Sequence, residues 1–217
     1  MLCVRRMSVM IGALRIVRDV SLEVGRGSRV GLVGRNGAGK TTTMRGIMGL
    51  AASAADEMTL GNKSLMGLRP QERARCGIGY VPEDRRLIGN LTVEENILVP
   101  AWALGQRGAL ARLSAIYEVL PAVAAFAGRK AMLLSGGQQK LVALARGLMN
   151  ATNLLLIDEP FEGLAEALAV RVADAIRQFQ AREESLAILI AESDARRARM
   201  LAERVYVIER GEIVGED

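Results

Sequence analysis

Short apolar runs and longer amphipathic segments alternate along most of this chain. The apolar runs are bounded by turn residues, as in strands that are buried on both faces of a sheet. They predict strands at 29–33, 57–60, 78–81, 154–157, 186–191 and 205–208. Segments with the helical period of about 3.6 residues predict helices at 42–49, 70–75, 141–149, 166–180 and 194–202. This alternation predicts an α/β fold.

The first 24 residues predict strands rather than a targeting segment. Alternating apolar positions indicate strands at 9–11, 14–17 and 20–24, with a turn at Gly12. The pair Arg5-Arg6 followed by apolar residues has some features of a signal peptide. However, charged residues return from position 15 and no small-residue cleavage site follows. We therefore predict an opening strand.

A helical block separates the strand-rich halves of the chain. Thr92-Val93-Glu94-Glu95 fits the capping box S/T-x-x-E, which starts a helix. Helical periodicity continues through 110–119 and, past Pro121, to about residue 127. Ser135 is a natural N-cap for the next helix. A last hairpin is predicted around Gly211.

Composition narrows the possible partners of this 217-residue chain, whose length suits a single domain. The net charge of +5 comes from scattered basic groups without interleaved aromatic residues, so no nucleic-acid partner is expected. Cys3 and Cys76 lie far apart, which opposes a zinc site or disulfide framework and suits a reducing cytoplasm. No run reaches the roughly 18 apolar residues of a membrane span, so direct membrane insertion is not expected.

The strongest chemical signal is Gly34–Thr41, which fits the phosphate-binding pattern G-x-x-x-x-G-K-[ST]. Its glycines let successive backbone N–H groups converge on an anion at the start of a helix, whose dipole favours negative charge. Lys40 can reach the outer phosphates, and the Thr41 hydroxyl can hold a magnesium ion. The predicted nucleotide-binding residues here are Gly34, Asn36, Gly37, Ala38, Gly39, Lys40, Thr41 and Thr42.

Two further motifs follow in order, Leu134-Ser135-Gly136-Gly137-Gln138 and the apolar strand that ends in Asp158-Glu159. Together with Gly34–Thr41 they resemble the Walker A, signature and Walker B motifs of ATP-binding cassette (ABC) ATPases, over essentially the whole chain. The resemblance implies an α/β P-loop NTPase cassette with a mixed β core and an inserted α-helical subdomain. It implies one domain, with a RecA-like core at about 1–90 and 150–217 and the helical subdomain at about 91–149.

The resemblance also implies ATP and Mg²⁺ as cofactors and phosphoryl transfer to water as the reaction. Lys40 would hold the β and γ phosphates, and Glu159 would act as the general base. Thr41 and Asp158 would position the magnesium ion, with Glu83 at the loop position that is usually glutamine. In the family two cassettes pair head to tail, so Ser135, Gly136, Gly137 and Gln138 would complete the site of a second copy or a sibling.

Three positions depart from the family pattern. Glu83 replaces the loop glutamine, and its carboxylate can still bind magnesium. Ser193 falls where the family has its switch histidine, in a chain that has no histidine. Serine can hydrogen-bond the γ-phosphate as a catalytic residue, but it cannot carry positive charge as imidazole can. Ile11 falls where an aromatic ring stacks on adenine, so an apolar contact and loose selectivity for the base are expected there. Slow turnover is expected because the switch histidine is absent.

Loop sequences suggest a subgroup within this family. The segments 80–86, 91–96 and 191–194 resemble members that serve importers of branched-chain amino acids, urea or short amides. The resemblance implies integral-membrane permease subunits as partners, docking on the helical block 91–127 and the loop at Glu83. The chain would then lie in the cytoplasm, peripheral to the inner face of the cell membrane.

Three functions other than that of an importer ATPase are compatible with parts of this motif set. A regulatory nucleotide-binding cassette with little ATPase activity is favoured by the missing histidine and aromatic ring, but opposed by Lys40, Asp158 and Glu159. A nucleic-acid-linked cassette ATPase would carry a long coiled coil or two cassettes, and this chain has neither. A GTPase is opposed because the segment 62–65, Asn-Lys-Ser-Leu, has Leu where guanine selection needs Asp.

Overall fold

The structure is a computed structural model that describes residues 1–217. The strands, in chain order, are β1 (Leu2–Ile11), β2 (Leu14–Val24), β3 (Arg29–Val33), β4 (Ala52–Ala54), β5 (Glu57–Leu60), β6 (Lys63–Ser64), β7 (Ile78–Val81), β8 (Leu154–Asp158), β9 (Ala187–Glu192), β10 (Arg204–Glu209) and β11 (Glu212–Glu216). The helices are α1 (Lys40–Met48), α2 (Pro70–Arg75), α3 (Val93–Leu104), α4 (Ala109–Val119), α5 (Pro121–Ala124), α6 (Gly136–Asn150), α7 (Glu166–Arg182) and α8 (Ala195–Ala198), with a short 3₁₀ helix at Ala131–Leu133.

These elements form two sheets, which confirms the predicted α/β class. One sheet is antiparallel, in the order β2-β1-β5-β6, with β4 also paired to β1. The other has the order β11-β10-β3-β9-β8-β7, and it is parallel except for the β10–β11 hairpin. The central strands β8 and β9 are buried along their whole length, as their continuous apolar sequences predict.

The register of the parallel sheet brings four loops to one edge. Val33 at the end of β3 pairs with Glu192 at the end of β9. Asp158 at the end of β8 pairs with Ala191, and Val81 at the end of β7 pairs with Ile157. The loops that follow β3, β7, β8 and β9 therefore begin side by side.

Alternation along the central strands divides the core into two apolar clusters. Leu155 and Ile157 face a cluster that includes α3, α6 and α7, whereas Leu154 and Leu156 face a cluster that includes α1, β1 and β2. The first cluster is continuous from the helical block to the parallel sheet. Any boundary between a helical subdomain and a core therefore crosses packed side chains.

Both predicted helix starts are present in the helical block. The Thr92 side chain accepts a hydrogen bond from the backbone N–H of Glu95, and the Glu95 carboxylate accepts one from the backbone N–H of Thr92. Ser135 and Gln138 form the same reciprocal pair at the start of α6. The buried Asn96 amide then bonds the backbone N–H and C=O of Ile88, which fixes the loop that leads into α3.

Three predicted boundaries were wrong. β1 begins at Leu2, because Leu2 and Val4 pair with β5 and turn inward while the basic pair Arg5-Arg6 stays exposed. β2 is one continuous strand, since a local irregularity at Asp19 (φ 48°) takes the place of a break. The helix predicted at 194–202 ends at Ala198, after which i→i+3 turns follow, such as that from the N–H of Met200 to the C=O of Arg197.

The longest helix, α7, has 17 residues and carries charges on its exposed face. A bilayer span needs about 20 predominantly apolar residues. None of the helices combines the length and apolarity that crossing a membrane requires.

Candidate functional site

The loop between β3 and α1 is built on backbone that only glycine tolerates. A Cβ atom at Gly34 would lie 2.2 Å from the carbonyl oxygen of Ile208. Gly39 has a φ of 112°, which residues other than glycine rarely adopt. The N–H of Gly34 donates to the C=O of Glu192, 3.2 Å away. The loop is thus anchored to β9 at its start and runs directly into α1, as an anion-binding loop requires.

Lys40 lies at the centre of this loop and is only 5% exposed. Its Nζ donates to the carbonyl oxygen of Gly34 at 2.7 Å and of Arg35 at 3.4 Å. It also forms an ion pair with Glu159 Oε1 at 3.1 Å. The predicted phosphate-binding cation and the predicted base therefore meet directly.

Glu159 is held in an uncommon backbone conformation, with a φ of 49°. A left-handed conformation at a residue other than glycine costs on the order of 1 kcal/mol and often marks a functional site. The N–H of Glu159 donates to the C=O of Ala191 at 3.0 Å. Its Oε2 accepts hydrogen bonds from the Ser193 N–H at 3.2 Å and the Ser193 hydroxyl at 3.4 Å. Both carboxylate oxygens of Glu159 are thus engaged.

A cavity of about 450 Å³ opens over this loop. It is lined by most of the predicted nucleotide-binding residues together with the predicted base: Ile11, Asn36, Gly37, Gly39, Lys40, Thr41, Thr42, Glu83 and Glu159. Ile16 and Glu162 also line it. Neither has a motif in the sequence, and Ile16 lies on β2, at an irregularity in its pairing with the strand that carries Ile11.

The predicted metal ligands line an adjoining cavity of about 380 Å³, in which Thr41, Glu83 and Asp158 meet. Asp158 is 1% exposed, and neither of its carboxylate oxygens has a well-formed hydrogen bond. Burial raises the pKa of Asp158 to about 6, and the nearby Thr41 hydroxyl offsets part of that rise. A buried carboxylate without partners is costly unless a cation joins it. Its oxygens, with those of Thr41 and Glu83, are the ligands that Mg²⁺ prefers.

The signature residues are not brought to these two cavities. Ser135 and Gly136 are exposed at the N-terminus of α6, and no residue from 135 to 138 lines either cavity. Ala38 lines a separate crevice beside Arg210. Within one chain, the site therefore has the phosphate loop and the acidic strand end but not the signature amides.

Two basic residues of α6 hold the loops of the site, and sequence reasoning missed both. The Lys140 ammonium donates to the carbonyl oxygens of Glu159, at 2.7 Å, and Glu162. The Arg146 guanidinium donates to the carbonyl oxygens of Arg85 and Arg86 in the loop after β7. Their acceptors are backbone groups, so no side-chain pattern in the sequence reveals these contacts.

Comparison with known proteins assigns this chain to a protein family. The sequence model of the ABC transporter family matches residues 17–162. This match covers more than half of the chain and includes all three motifs. The chain belongs to the ABC transporter family.

Individual relatives agree with this assignment. The chain is 34% identical over 217 residues to the high-affinity branched-chain amino acid transport ATP-binding protein BraG of Pseudomonas aeruginosa, covering 100% of this chain and 92% of BraG. It is 31% identical over 202 residues to the lipopolysaccharide export system ATP-binding protein LptB of Escherichia coli, covering 92% and 83%.

A solved structure matches over the whole chain. It is a dimeric ATP-binding cassette in a post-hydrolysis state, bound to ADP and Pi, and 25% identical to this chain. The TM-score is 0.84, with 100% of this chain and 98% of that chain covered. The match confirms the predicted α/β P-loop NTPase cassette.

The buried Asp158 carboxyl predicts a pH-dependent stability difference. Because the pKa of Asp158 rises from 3.8 to about 6 on folding, the folded chain retains a proton that the unfolded chain loses. The free energy of unfolding therefore falls as pH rises between these values. Asp158→Asn removes this penalty, so we expect it to exceed the original chain in stability at pH 7 by on the order of 2 kcal/mol.

Urea denaturation in the presence of a chelator, at several pH values from about 4.5 to 7, measures this difference. Asp56→Asn changes an exposed carboxylate and serves as the control. The stability gap should widen with pH for Asp158→Asn alone. A constant gap would contradict the raised pKa.

Proposed function

We propose that this chain is the ATP-binding and ATP-hydrolysing subunit of a membrane importer for branched-chain amino acids or related small amides. The observation that carries the hydrolytic part is the convergence of Lys40, Asp158 and Glu159 at one sheet edge, beside a cavity of about 450 Å³. BraG, whose name states branched-chain amino acid transport, supports the transport part because its similarity extends over the full chain.

ATP is the substrate that suits this cavity. The loop from Gly34 to Thr42 would bind the phosphates through backbone N–H groups, the α1 dipole and Lys40. Lys40 would exchange part of its contact with Gly34 and Glu159 for phosphate oxygens. Ile11 and Ile16 would give the adenine an apolar contact without ring stacking, so selectivity for the base should be loose.

Mg²⁺ is the metal that the oxygen ligands favour. Thr41, Glu83 and Asp158 would hold it, and the unpartnered oxygens of Asp158 are the main observation in support. When bound, the ion supplies positive charge that neutralises the phosphates.

Glu159 is the proposed general base. A water molecule would attack the γ-phosphorus, the bond to the bridging oxygen would break, and the water proton would pass to Glu159. The contacts from Lys40 and Ser193 to the two carboxylate oxygens of Glu159 keep that side chain oriented. Ser193 would serve as the catalytic hydroxyl in the switch position. A hydroxyl has no charge to offer, so turnover should be slow.

A second copy or a sibling would supply Ser135, Gly136, Gly137 and Gln138 to this site. These residues are solvent-facing at a helix N-terminus, where bare amides and the helix dipole favour an anion. They reach neither cavity of their own chain. Head-to-tail pairing would bring them to the γ-phosphate of the partner. The dimeric, nucleotide-bound cassette of the same fold supports this arrangement.

Integral-membrane permease subunits are the proposed partners. The helical block exposes large apolar side chains, with Trp102 57% and Leu110 72% exposed. Ile88 and Leu133 are likewise exposed beside the loop that follows Glu83. These surfaces would dock on the permeases, placing the chain in the cytoplasm at the inner face of the cell membrane. The division into a core at 1–90 and 150–217 and a helical subdomain at 91–149 belongs to this proposal.

Replacing the proposed base tests the hydrolytic role. Glu159→Gln keeps the shape of the side chain but cannot accept the proton, so we expect phosphate release from Mg-ATP to fall by about 10²- to 10⁴-fold while nucleotide stays bound. Glu166→Gln, an exposed position at the start of α7, is the matched control. Equal phosphate release by Glu159→Gln and the original chain would remove Glu159 from this role. If even the original chain released no phosphate, the regulatory reading would be favoured.

The pairing of two chains can be tested at Ser135. In the Glu159→Gln background with Mg-ATP, we expect dimers in analytical ultracentrifugation. Ser135→Asp keeps the helix cap but places a carboxylate where the γ-phosphate should lie, so dimerisation should weaken by at least about tenfold. Ser135→Asn keeps the cap without the charge and should have a much smaller effect. Equal dimerisation with Asp and Asn would contradict the head-to-tail arrangement.

Uptake by cells of the source organism tests the transport role. Replacing the chromosomal copy with Glu159→Gln should reduce the uptake of labelled leucine, isoleucine and valine, or else of labelled urea and short amides. Glu166→Gln should leave uptake unchanged. Unimpaired uptake of both solute classes in the Glu159→Gln strain would contradict the proposed importer role.

A further inference from the structure

We propose that Glu192 is a positioning residue for the base, and that it holds Glu159 by donating a hydrogen bond to it as a neutral acid. This inference rests on the proposed function, because it assigns a role relative to the proposed catalytic carboxylate. Glu192 lies in the segment 191–194, whose sequence resembles one subgroup of the family, but it has no assigned role in nucleotide binding, metal binding or hydrolysis.

Glu192 is fixed in place by both loops of the site. It ends β9 and is fully buried, at 0% exposure. Its side-chain Oε1 accepts a hydrogen bond from the N–H of Phe161 at 3.0 Å, in the loop after β8. Its backbone C=O accepts from the N–H of Gly34 at 3.2 Å, where the phosphate loop begins. The residue therefore has little freedom to turn its carboxyl group elsewhere.

The second oxygen of Glu192 indicates its protonation state. No N–H or O–H group reaches Oε2, and the carboxyl group of Glu159 lies beside that of Glu192. Two ionised carboxylates in contact would both be acceptors, and their charges would repel. A proton on Oε2 removes this conflict and supplies the missing donor. Burial first, and then the neighbouring Glu159, raise the pKa of Glu192 to about 8, which agrees with the neutral form.

The cationic side chains around Glu192 all form their ion pairs or hydrogen bonds with other groups. Lys40 from α1 is paired with Glu159 and bonded to Gly34. Lys140 from α6 donates to backbone carbonyls of the loop after β8. Arg197 from α8 donates to the Phe161 C=O at 3.3 Å and lowers the pKa of Glu192 only in part. No cation forms an ion pair with Glu192, so its ionised form is stabilised only in part, by the Phe161 N–H and by Arg197.

A neutral Glu192 would complete the set of contacts that orients Glu159. Lys40 holds one oxygen of Glu159 and Ser193 the other, and Glu192 would add a donor from the interior of the protein. Above about pH 8, Glu192 would ionise, and repulsion between the two carboxylates would displace Glu159 from its position. The turnover number should then fall with rising pH while ATP binding is little affected.

Three variants of Glu192 test this role through phosphate release. Glu192→Leu fills the space but donates nothing, so kcat should fall at least tenfold with little change in KM. Glu192→Gln supplies an amide donor for Glu159 and an acceptor for Phe161, so it should rescue most of the kcat lost in the Leu variant. Its kcat should also lose the decline near pH 8 that the original chain shows. Glu192→Asp is too short to serve both contacts and should resemble the Leu variant.

A readout without activity separates this inference from the proposed function. Infrared spectroscopy at pH 7 should show the C=O band of a buried protonated carboxyl group in the original chain, and Glu192→Gln should lack it. Glu192→Gln should also have the higher unfolding temperature at pH 7, with the difference shrinking toward pH 5. This follows because a carboxyl group whose pKa rises on folding lowers stability above its unfolded pKa.

Either of two results would overturn the inference. One is the absence of the protonated carboxyl band at pH 7 from the original chain. The other is a Glu192→Gln variant that loses kcat as fully as Glu192→Leu while both remain folded and bind ATP. Failure of the original chain to hydrolyse ATP would instead refute the proposed function, and the infrared measurement would still decide the state of Glu192.

Discussion

The parallel register of β3, β9 and β8 is the constraint on which the rest of the site depends. It sets Val33 beside Glu192 and Asp158 beside Ala191. The phosphate loop, the acidic end of β8 and the segment that carries Ser193 therefore all begin at the same edge of the sheet. Backbone bonds then extend the register into the loops, from Gly34 to Glu192 and from Glu159 to Ala191. A slip of one residue would turn the side chains of these strands to the opposite face.

The same register concentrates negative charge where burial makes it costly. Asp158, Glu159 and Glu192 are each at most 5% exposed. Only Lys40 meets one of them as an ion pair, and the other two have raised pKa values because burial disfavours their charge. Such buried charges lower the stability of the folded chain, a cost that functional sites commonly carry. A left-handed φ at Glu159 adds backbone strain at the same point.

The fold and the phosphate loop were largely predictable from sequence, because local signals specify them. Gly34–Thr41 needs its glycines for backbone geometry, and the caps at Thr92 and Ser135 are local hydrogen bonds. What could not be predicted depends on long-range contacts. The ion pair of Lys40 with Glu159 joins residues 119 positions apart, and it exists only because β3 and β8 both flank β9. Glu192 looked like an ordinary strand end, since sequence alone does not tell a buried acid from an exposed one.

The way α6 attaches to the sheet has a consequence for how this chain can vary. Lys140 and Arg146 bind carbonyl oxygens of the main chain, at Glu159 and Glu162 and at Arg85 and Arg86. Every amino acid has such a carbonyl, so substitutions among the acceptor residues leave these anchors intact. Lys140 and Arg146 cannot be replaced so freely, because their side chains donate these hydrogen bonds. The loops can therefore diversify in sequence, and acquire new specificity, without losing their position against the helix.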